Sequence, residues 1–268
     1  MDWNRIKTIF ILTFLVLDIY LMYEFFKLND ASQYEYSTEV PLEKRLKADE
    51  IEYVELPKNF IKDMYLSAEP IDFSNEVTES VEKTKLKGQK VQVNSSTVLN
   101  SVLDKPYELS EKYDKAEINS FVKNNVLYGD QYRYWKKEDN IITYYQQFKD
   151  KTFYQNSSAE LTIYLNDENN IVSYVQTMLT NIEELSEEEK IIQPLKALET
   201  LYEKGSLKPK SKITKVELGY FNFVGEASTA QVLIPAWRFV INDKEDLYVH
   251  AFEGQIIELP TEEKTIVE

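Results

Sequence analysis

The sequence predicts an α+β protein in which an apolar N-terminal transmembrane helix carries an acidic, sheet-rich ectodomain. Three observations predict it. Ile9–Phe26 is an apolar run of 18 residues. The rest of the chain is dominated by short β-patterned runs, with helical periodicity in two places. The order helix-then-strands occurs twice, beginning near Asp114 and near Glu187. Two antiparallel-sheet-and-helix subdomains follow from that repetition, although no residue-level repeat accompanies it. The expected organisation is a cytoplasmic N-terminus at 1–8, a membrane helix at 9–26 and a juxtamembrane linker at 27–48. Ectodomain units at 49–182 and 183–260, packed as one rigid body, and a tail at 261–268 complete it.

The membrane helix comes first. Eighteen residues at about 1.5 Å each span roughly 27 Å, close to the hydrocarbon thickness of a bilayer. Thirteen of them are Ile, Leu, Val, Phe or Met. Their insertion free energy sums to about −4 to −8 kcal/mol, against about +3 for Asp18. Glu24 can snorkel to the interface. Arg5 and Lys7 precede the run, so the positive-inside rule places the N-terminus in the cytoplasm and the ectodomain outside. A cleaved signal peptide is the rival reading. It asks for a shorter apolar region and a small-x-small site, and the segment that follows offers only Ala31-Ser32.

A carboxyl group in mid-membrane commonly faces a protein partner. Thr8, Ile11, Leu15, Asp18, Met22 and Phe25 follow a 3-4-3-4-3 spacing that aligns them along one helix seam. These six residues are the candidate partner-binding face. The competing reading is a protonated Asp18 tolerated in lipid.

Beyond the linker, Glu50–Leu56 and Tyr65–Phe73 read as strands, with Pro57 at a turn and Pro70 at an edge or bulge. Asn75–Lys90 is charged and reads as loop or a short exposed helix. Val91–Val93 is a brief strand, and Ser96–Leu103 suggests a turn of helix. Asp114–Leu127 is helical, with Ile118, Phe121 and Val122 on one side. Strands follow at Asp130–Lys136 and Ile141–Phe148, then a hairpin of Glu160–Leu165 with Ile171–Leu179. The loop Asn166–Asn170 lacks the glycine and distal glutamate of a calcium loop, so it reads as a plain hairpin connection. Ser186 with Glu189 resembles a capping box opening a helix over Glu187–Lys204, which Gly205 ends. Ile191, Ile192, Leu195, Leu198 and Leu201 form its buried side. The last strands are Ile213–Phe223, Ala230–Ile234, Ala236–Asn242, Leu247–Phe252 and Gln255–Leu259.

Composition narrows the chemistry. Cysteine is absent and His250 is the single histidine, which removes disulfides, thiolate metal sites and cysteine nucleophiles. No phosphate-binding glycine loop or nucleophile elbow occurs. Strand alternation puts Tyr248, His250 and Phe252 on one face, so His250 reads as packed rather than as a base. The chain has 46 acidic and 31 basic residues and a net charge of −15. Residues 1–28 hold three of each sign, so the excess lies beyond the membrane run. Such a domain repels phosphate backbones, and nucleic acid is not an expected partner. No cofactor, no metal and no enzymatic activity are expected.

The opening MDWNRIKTIFILTFLVLDIYLMYEF resembles the YycI (WalI) family of Gram-positive bacteria. So do LKGQKVQVN at 86–94, LDKPYEL at 103–109 and IPAWRFVINDKEDLYVHAFEGQIIEL at 234–259. Asp18 departs from the uncharged polar residue expected there. The resemblance implies an auxiliary regulator of a cell-wall-controlling two-component system. Through its membrane helix it would associate with the sensor histidine kinase YycG (WalK) and the sister protein YycH, and its ectodomain would resemble YycH C-terminal domains. A membrane-tethered sensor of a cell-wall component is the alternative, and it should show a pocket with convergent polar groups. An unfamiliar cell-wall enzyme should show perturbed titratable pairs in a cleft.

Overall fold

A computed structural model describes residues 3–33, 41–58, 62–79, 85–110, 114–222 and 230–258. Its contacts divide the chain at Asp49/Glu50 into two units. The first holds α1 (Trp3–Gln33) and α2 (Leu42–Ala48). At 31 residues, α1 is about 47 Å long, and no Gly or Pro interrupts it. It overruns 9–26 at both ends and takes in part of the expected linker. Within it, Ile6–Glu24 is long and apolar enough to cross a membrane. The linker also contains α2, with Glu43 in its first turn and Arg45 and Lys47 in its last, a distribution that complements the helix dipole.

The second unit begins with β1 (Glu52–Tyr53), β2 (Lys62–Asp63), β3 (Leu66–Pro70), α3 (Phe73–Glu79), β4 (Gln89–Asn94) and β5 (Val98–Tyr107). Next come α4 (Lys115–Asn125), β6 (Tyr132–Glu138), β7 (Ile141–Phe148), β8 (Lys151–Tyr154), β9 (Glu160–Leu165) and β10 (Ile171–Gln176). It ends with β11 (Leu179–Glu184), β12 (Glu189–Lys190), α5 (Pro194–Glu203), β13 (Lys212–Asn222), β14 (Gln231–Ile241), β15 (Glu245–His250) and β16 (Ile256–Ile257). The fold is α+β. Hydrogen bonding runs β11-β3-β14-β13-β8-β7-β9-β10-β5-β4. β6 pairs with β7, β15 with β14 and β16, and β1 with β13. Ladders are antiparallel except β1–β13 and β8–β13.

β8 joins two groups of strands. It pairs antiparallel with β7 at Thr152 and Lys151, and parallel with β13 at Phe153 and Tyr154. A Cβ on Gly219 of β13 would lie 2.5 Å from the Thr152 carbonyl oxygen and from the Tyr154 ring, so a residue without a side chain is needed for this approach. α4 starts at Asp114, whose carboxylate accepts from the Ala116 N–H at 2.9 Å. It buries Ile118, Phe121 and Val122 in a core with Leu99, Ile142, Ile163 and Tyr174. A second cluster gathers Leu66, Phe153, Leu179, Tyr220 and Leu233.

Several expectations are corrected. Of Ser96–Leu103, Ser96 and Thr97 lie in the turn before β5 and Val98–Leu103 lie in β5, which pairs with both β4 and β10. Its apolar pairs Val98-Leu99 and Val102-Leu103 mimic helical spacing, yet Val102 is 54% exposed. α5 starts at Pro194 rather than Glu187, because proline lacks the N–H that a helix interior needs and fits the first turn. Glu187 and Glu188 therefore lie ahead of the helix, Glu189 pairs with Asp63, and Ser186 accepts from the Tyr65 N–H at 3.3 Å instead of capping. The expected strands Ala230–Ile234 and Ala236–Asn242 merge into one, β14 (Gln231–Ile241), with Pro235 inside it. Phe223 and the 261–268 tail lie outside the described residues.

Candidate functional site

The six residues of the candidate seam all lie on α1. Thr8, Ile11, Leu15, Asp18 and Met22 are all exposed within the chain, with Ile11 at 65%, Leu15 at 51% and Met22 at 60%. The backbone of Phe25 continues the helix; its side chain lies outside the described residues. The Thr13 hydroxyl returns to the Ile9 carbonyl at 2.8 Å, satisfying a polar group that lipid could not. The helix thus presents apolar side chains on every side and one carboxyl near its middle.

In the second unit, polar groups concentrate where the two strand groups meet. Asp63 is 1% exposed. It pairs with Lys151 Nζ at 2.7 Å and accepts from the Tyr220 hydroxyl at 2.7 Å and the Met64 N–H at 3.0 Å. Burial and the Asp63 carboxylate together drive the Tyr220 phenol far above its ordinary range. Gln146 is fully buried and uses both ends of its amide on Leu179, donating to the carbonyl at 2.9 Å and accepting from the N–H at 2.8 Å. Asn156 donates to Gln231 at 2.8 Å. Sequence reading missed these residues, because charge and amide content do not disclose burial.

A second polar assembly lines an open cleft of about 350 Å³. Glu217 of β13 receives Arg133 of β6 at 2.7 Å, Lys215 at 2.9 Å and Arg238 of β14 at 3.1 Å. Arg238 also pairs with Asp246 at 2.8 Å and lies 3.8 Å over the Trp135 ring. Lys115, the first residue of α4, stands 4.5 Å over the Tyr134 ring. Burial pushes Glu217 upward, but Lys215 and Arg133 outweigh it and hold the carboxyl below its ordinary value. A neighbouring cleft of about 500 Å³ shares Arg133 and Tyr134 and adds Asn119, Tyr144 and Gln147. The signal for this site was legible as a basic-aromatic run, Arg133-Tyr134-Trp135-Lys136-Lys137, in an otherwise acidic chain.

His250 is buried, as its alternation suggests, beside Tyr65 and Phe252. Its Nδ1 accepts from the Phe252 and Glu253 N–H groups at 3.1 and 3.3 Å. The Asn166–Asn170 segment is a hairpin loop in which the Asn166 side chain accepts from the Glu168 and Asn170 N–H groups. Among the described residues no group of three or more His, Asp or Glu side chains is placed to hold a metal ion.

A protein-family model described as YycI protein matches residues 29–252. No curated relative matches the chain. Among solved structures, the Bacillus megaterium YpeB C-terminal domain aligns over 70% of this chain and 96% of its own, at 11% identity and a TM-score of 0.41.

Proposed function

The chain belongs to the YycI family, and from that premise we propose that it is a membrane-anchored auxiliary subunit that binds and modulates a YycG (WalK)-type sensor histidine kinase together with a YycH-type partner. The family is one of regulators of the YycFG two-component system. The observation that carries the reading is the family match across most of the ectodomain, preceded in the chain by a helix apolar enough to span a bilayer. Arg5 and Lys7 favour a cytoplasmic N-terminus and an extracellular ectodomain. The role asked of the protein is contact and not catalysis.

The contact falls on Thr8, Ile11, Leu15, Asp18, Met22 and Phe25. A lipid-facing Asp18 costs about 3 kcal/mol, which burial against a partner helix relieves. A carboxyl bonded across a helix pair contributes about 0.6–2 kcal/mol, or roughly threefold to thirtyfold in association. The test is Asp18→Leu, with Leu17→Ala and Ile19→Ala as controls, reading kinase co-purification and target-gene output at equal membrane level. Asp18→Leu should weaken association while the controls do not. If Asp18→Leu and a whole-helix swap both retain full association, the seam is wrong.

A second reading, an extracytoplasmic sensor of a cell-wall component, is favoured by one observation. The Arg133–Lys215–Arg238 cleft has the convergent polar lining that a ligand site needs.

A further inference from the structure

We propose that the cleft between β6, β13 and β14 recognises a phosphorylated polyol or sugar, with the phosphate held by Lys115, Arg133 and Lys215 and the hydroxyls by the adjoining cleft. The proposal deepens the sensor reading and does not depend on the membrane seam.

Charge balance is the first argument. Lys115, Arg133, Lys215 and Arg238 line the cleft with two carboxylates, Glu217 and Asp243. Asp246 sits behind Arg238 as its ion-pair partner, and even counting it the positive charges are in excess. That excess stands out in a chain with a net charge of −15. Three of the cations converge on Glu217: its Oε1 is shared by Arg133 and Lys215, and its Oε2 pairs with Arg238, which draws on Asp246 as well.

Preorganisation is the second. Arg238 is the structural member: it is largely buried, stacked on Trp135, and committed to Glu217 and Asp246. It holds Glu217, which in turn holds Arg133 and Lys215 side by side. Those two remain 39% and 49% exposed, each with N–H groups beyond the one bonded to Glu217. An arginine fork beside a lysine matches a phosphate better than a single carboxylate, which offers fewer acceptor oxygens.

Lining chemistry is the third. Past Arg133 and Tyr134 the adjoining cleft offers phenol and amide groups, and its two other charged residues, Lys123 and Asp130, are of opposite sign. The Asn119 side-chain oxygen already accepts the Tyr144 hydroxyl at 2.8 Å, so its N–H groups are the donors left over. Amide and phenol groups beside an aromatic wall suit neutral hydroxyls. The strongly negative protein as a whole disfavours a long polyanion. Beyond about 8 Å that repulsion is screened at physiological ionic strength, so one phosphate on a neutral body fits both the cleft and the chain.

The protein supplies its own reporter. Trp135 lines the cleft, while Trp3 lies in α1 and Trp237 in the core. Full-length protein carrying 15N-tryptophan, in zwitterionic nanodiscs, is titrated with glycerol 3-phosphate, inorganic phosphate and glycerol. The indole signal of Trp135, assigned by Trp135→Phe, should shift saturably with both phosphates and not with glycerol, while Trp237 stays still. Lys115→Gln/Lys215→Gln changes two surface side chains and should weaken binding by about three- to tenfold at unchanged melting temperature. No saturable shift up to about 20 mM phosphate, a millimolar site being the weakest worth the name, would overturn the proposal. So would undiminished binding in the double variant. A further arm replaces the discs with phosphatidylglycerol discs. The soluble ligand is upheld if glycerol 3-phosphate still binds, and overturned if lipid alone shifts Trp135 and blocks the probe. Kinase co-purification is read separately, so loss of phosphate binding leaves the Asp18 test intact.

Discussion

Asp63 carries more of the second unit's organisation than its neighbours suggest. An isolated buried carboxylate is costly; this one is matched by Lys151, the Tyr220 hydroxyl and a backbone N–H. Breaking such a pair from one side costs about 3–5 kcal/mol, since the remaining charge is stranded. His250 illustrates a titrating residue. Burial lowers its pKa, with Glu253 opposing weakly, and Nδ1 must stay unprotonated to accept two N–H groups. The folded state therefore prefers neutral imidazole, while the unfolded chain takes up a proton near pH 6.5. Stability from this group is complete above that pH and is lost as pH falls through it toward the lower folded value. Melting temperature measured from pH 8 to 5 should show a component in that window that disappears in His250→Asn, whose side-chain oxygen still accepts. An identical pH profile in the variant would refute this role. Alternation in LYVHAF was enough to read His250 as packed. Asp63 was invisible, because a Lys-Asp pair looks the same in sequence whether solvated or buried.

Among elements, those with their own local signal were legible. Asp114 marks α4 by its cap, and Ile141–Phe148 and Glu160–Leu165 match β7 and β9 residue for residue. β8 was not legible. Its four residues follow β7 through Lys149-Asp150, both at positive φ (48° and 63°), the geometry of a two-residue primed turn. Asn-Gly is the sequence signature of that turn; Lys-Asp is not, and tertiary pairing on both sides of β8 pins it there instead. The start of α5 was misplaced for the opposite reason. A capping-box pattern outweighed Pro194, the stronger boundary. Because Lys149 and Asp150 occupy conformations costly for side-chain-bearing residues, Lys149→Asn/Asp150→Gly should stabilise the sheet-rich unit. A gain of about 1 kcal/mol is expected from denaturant titration of the full chain. The double substitution also removes the Lys149–Glu184 ion pair, but both of its side chains are exposed, so its removal should offset little. A destabilised variant would mean that the turn is held by interactions of the Lys149 or Asp150 side chain rather than by its geometry.

At the scale of the whole molecule, we propose that residues 49–182 and 183–260 unfold as one body. Elements from each stretch cross into the other: β3 pairs with β14 as well as β11, and β8 pairs with both β7 and β13. Side chains cross too, through Asp63 with Tyr220, Asn156 with Gln231 and Arg133 with Glu217. Opening one half would strand Asp63 without Tyr220 and remove β3 from the edge of β14, so a half-open state forfeits buried packing without gaining a complete core of its own. Calorimetry of the full chain in mild detergent should therefore give one transition for the sheet-rich unit, with van 't Hoff and calorimetric enthalpies in agreement. Its enthalpy should approach about 150 kcal/mol near 60 °C, at about 0.7 kcal/mol for each of roughly 210 residues. Lys151→Met provides the sharper arm. If the junction is part of one cooperative unit, breaking its ion pair lowers the single peak by several degrees without splitting it. Two resolved peaks in the native chain, or a variant in which only a fraction of the enthalpy moves, would show that the stretches fold separately and that the crossing strands are docked rather than shared.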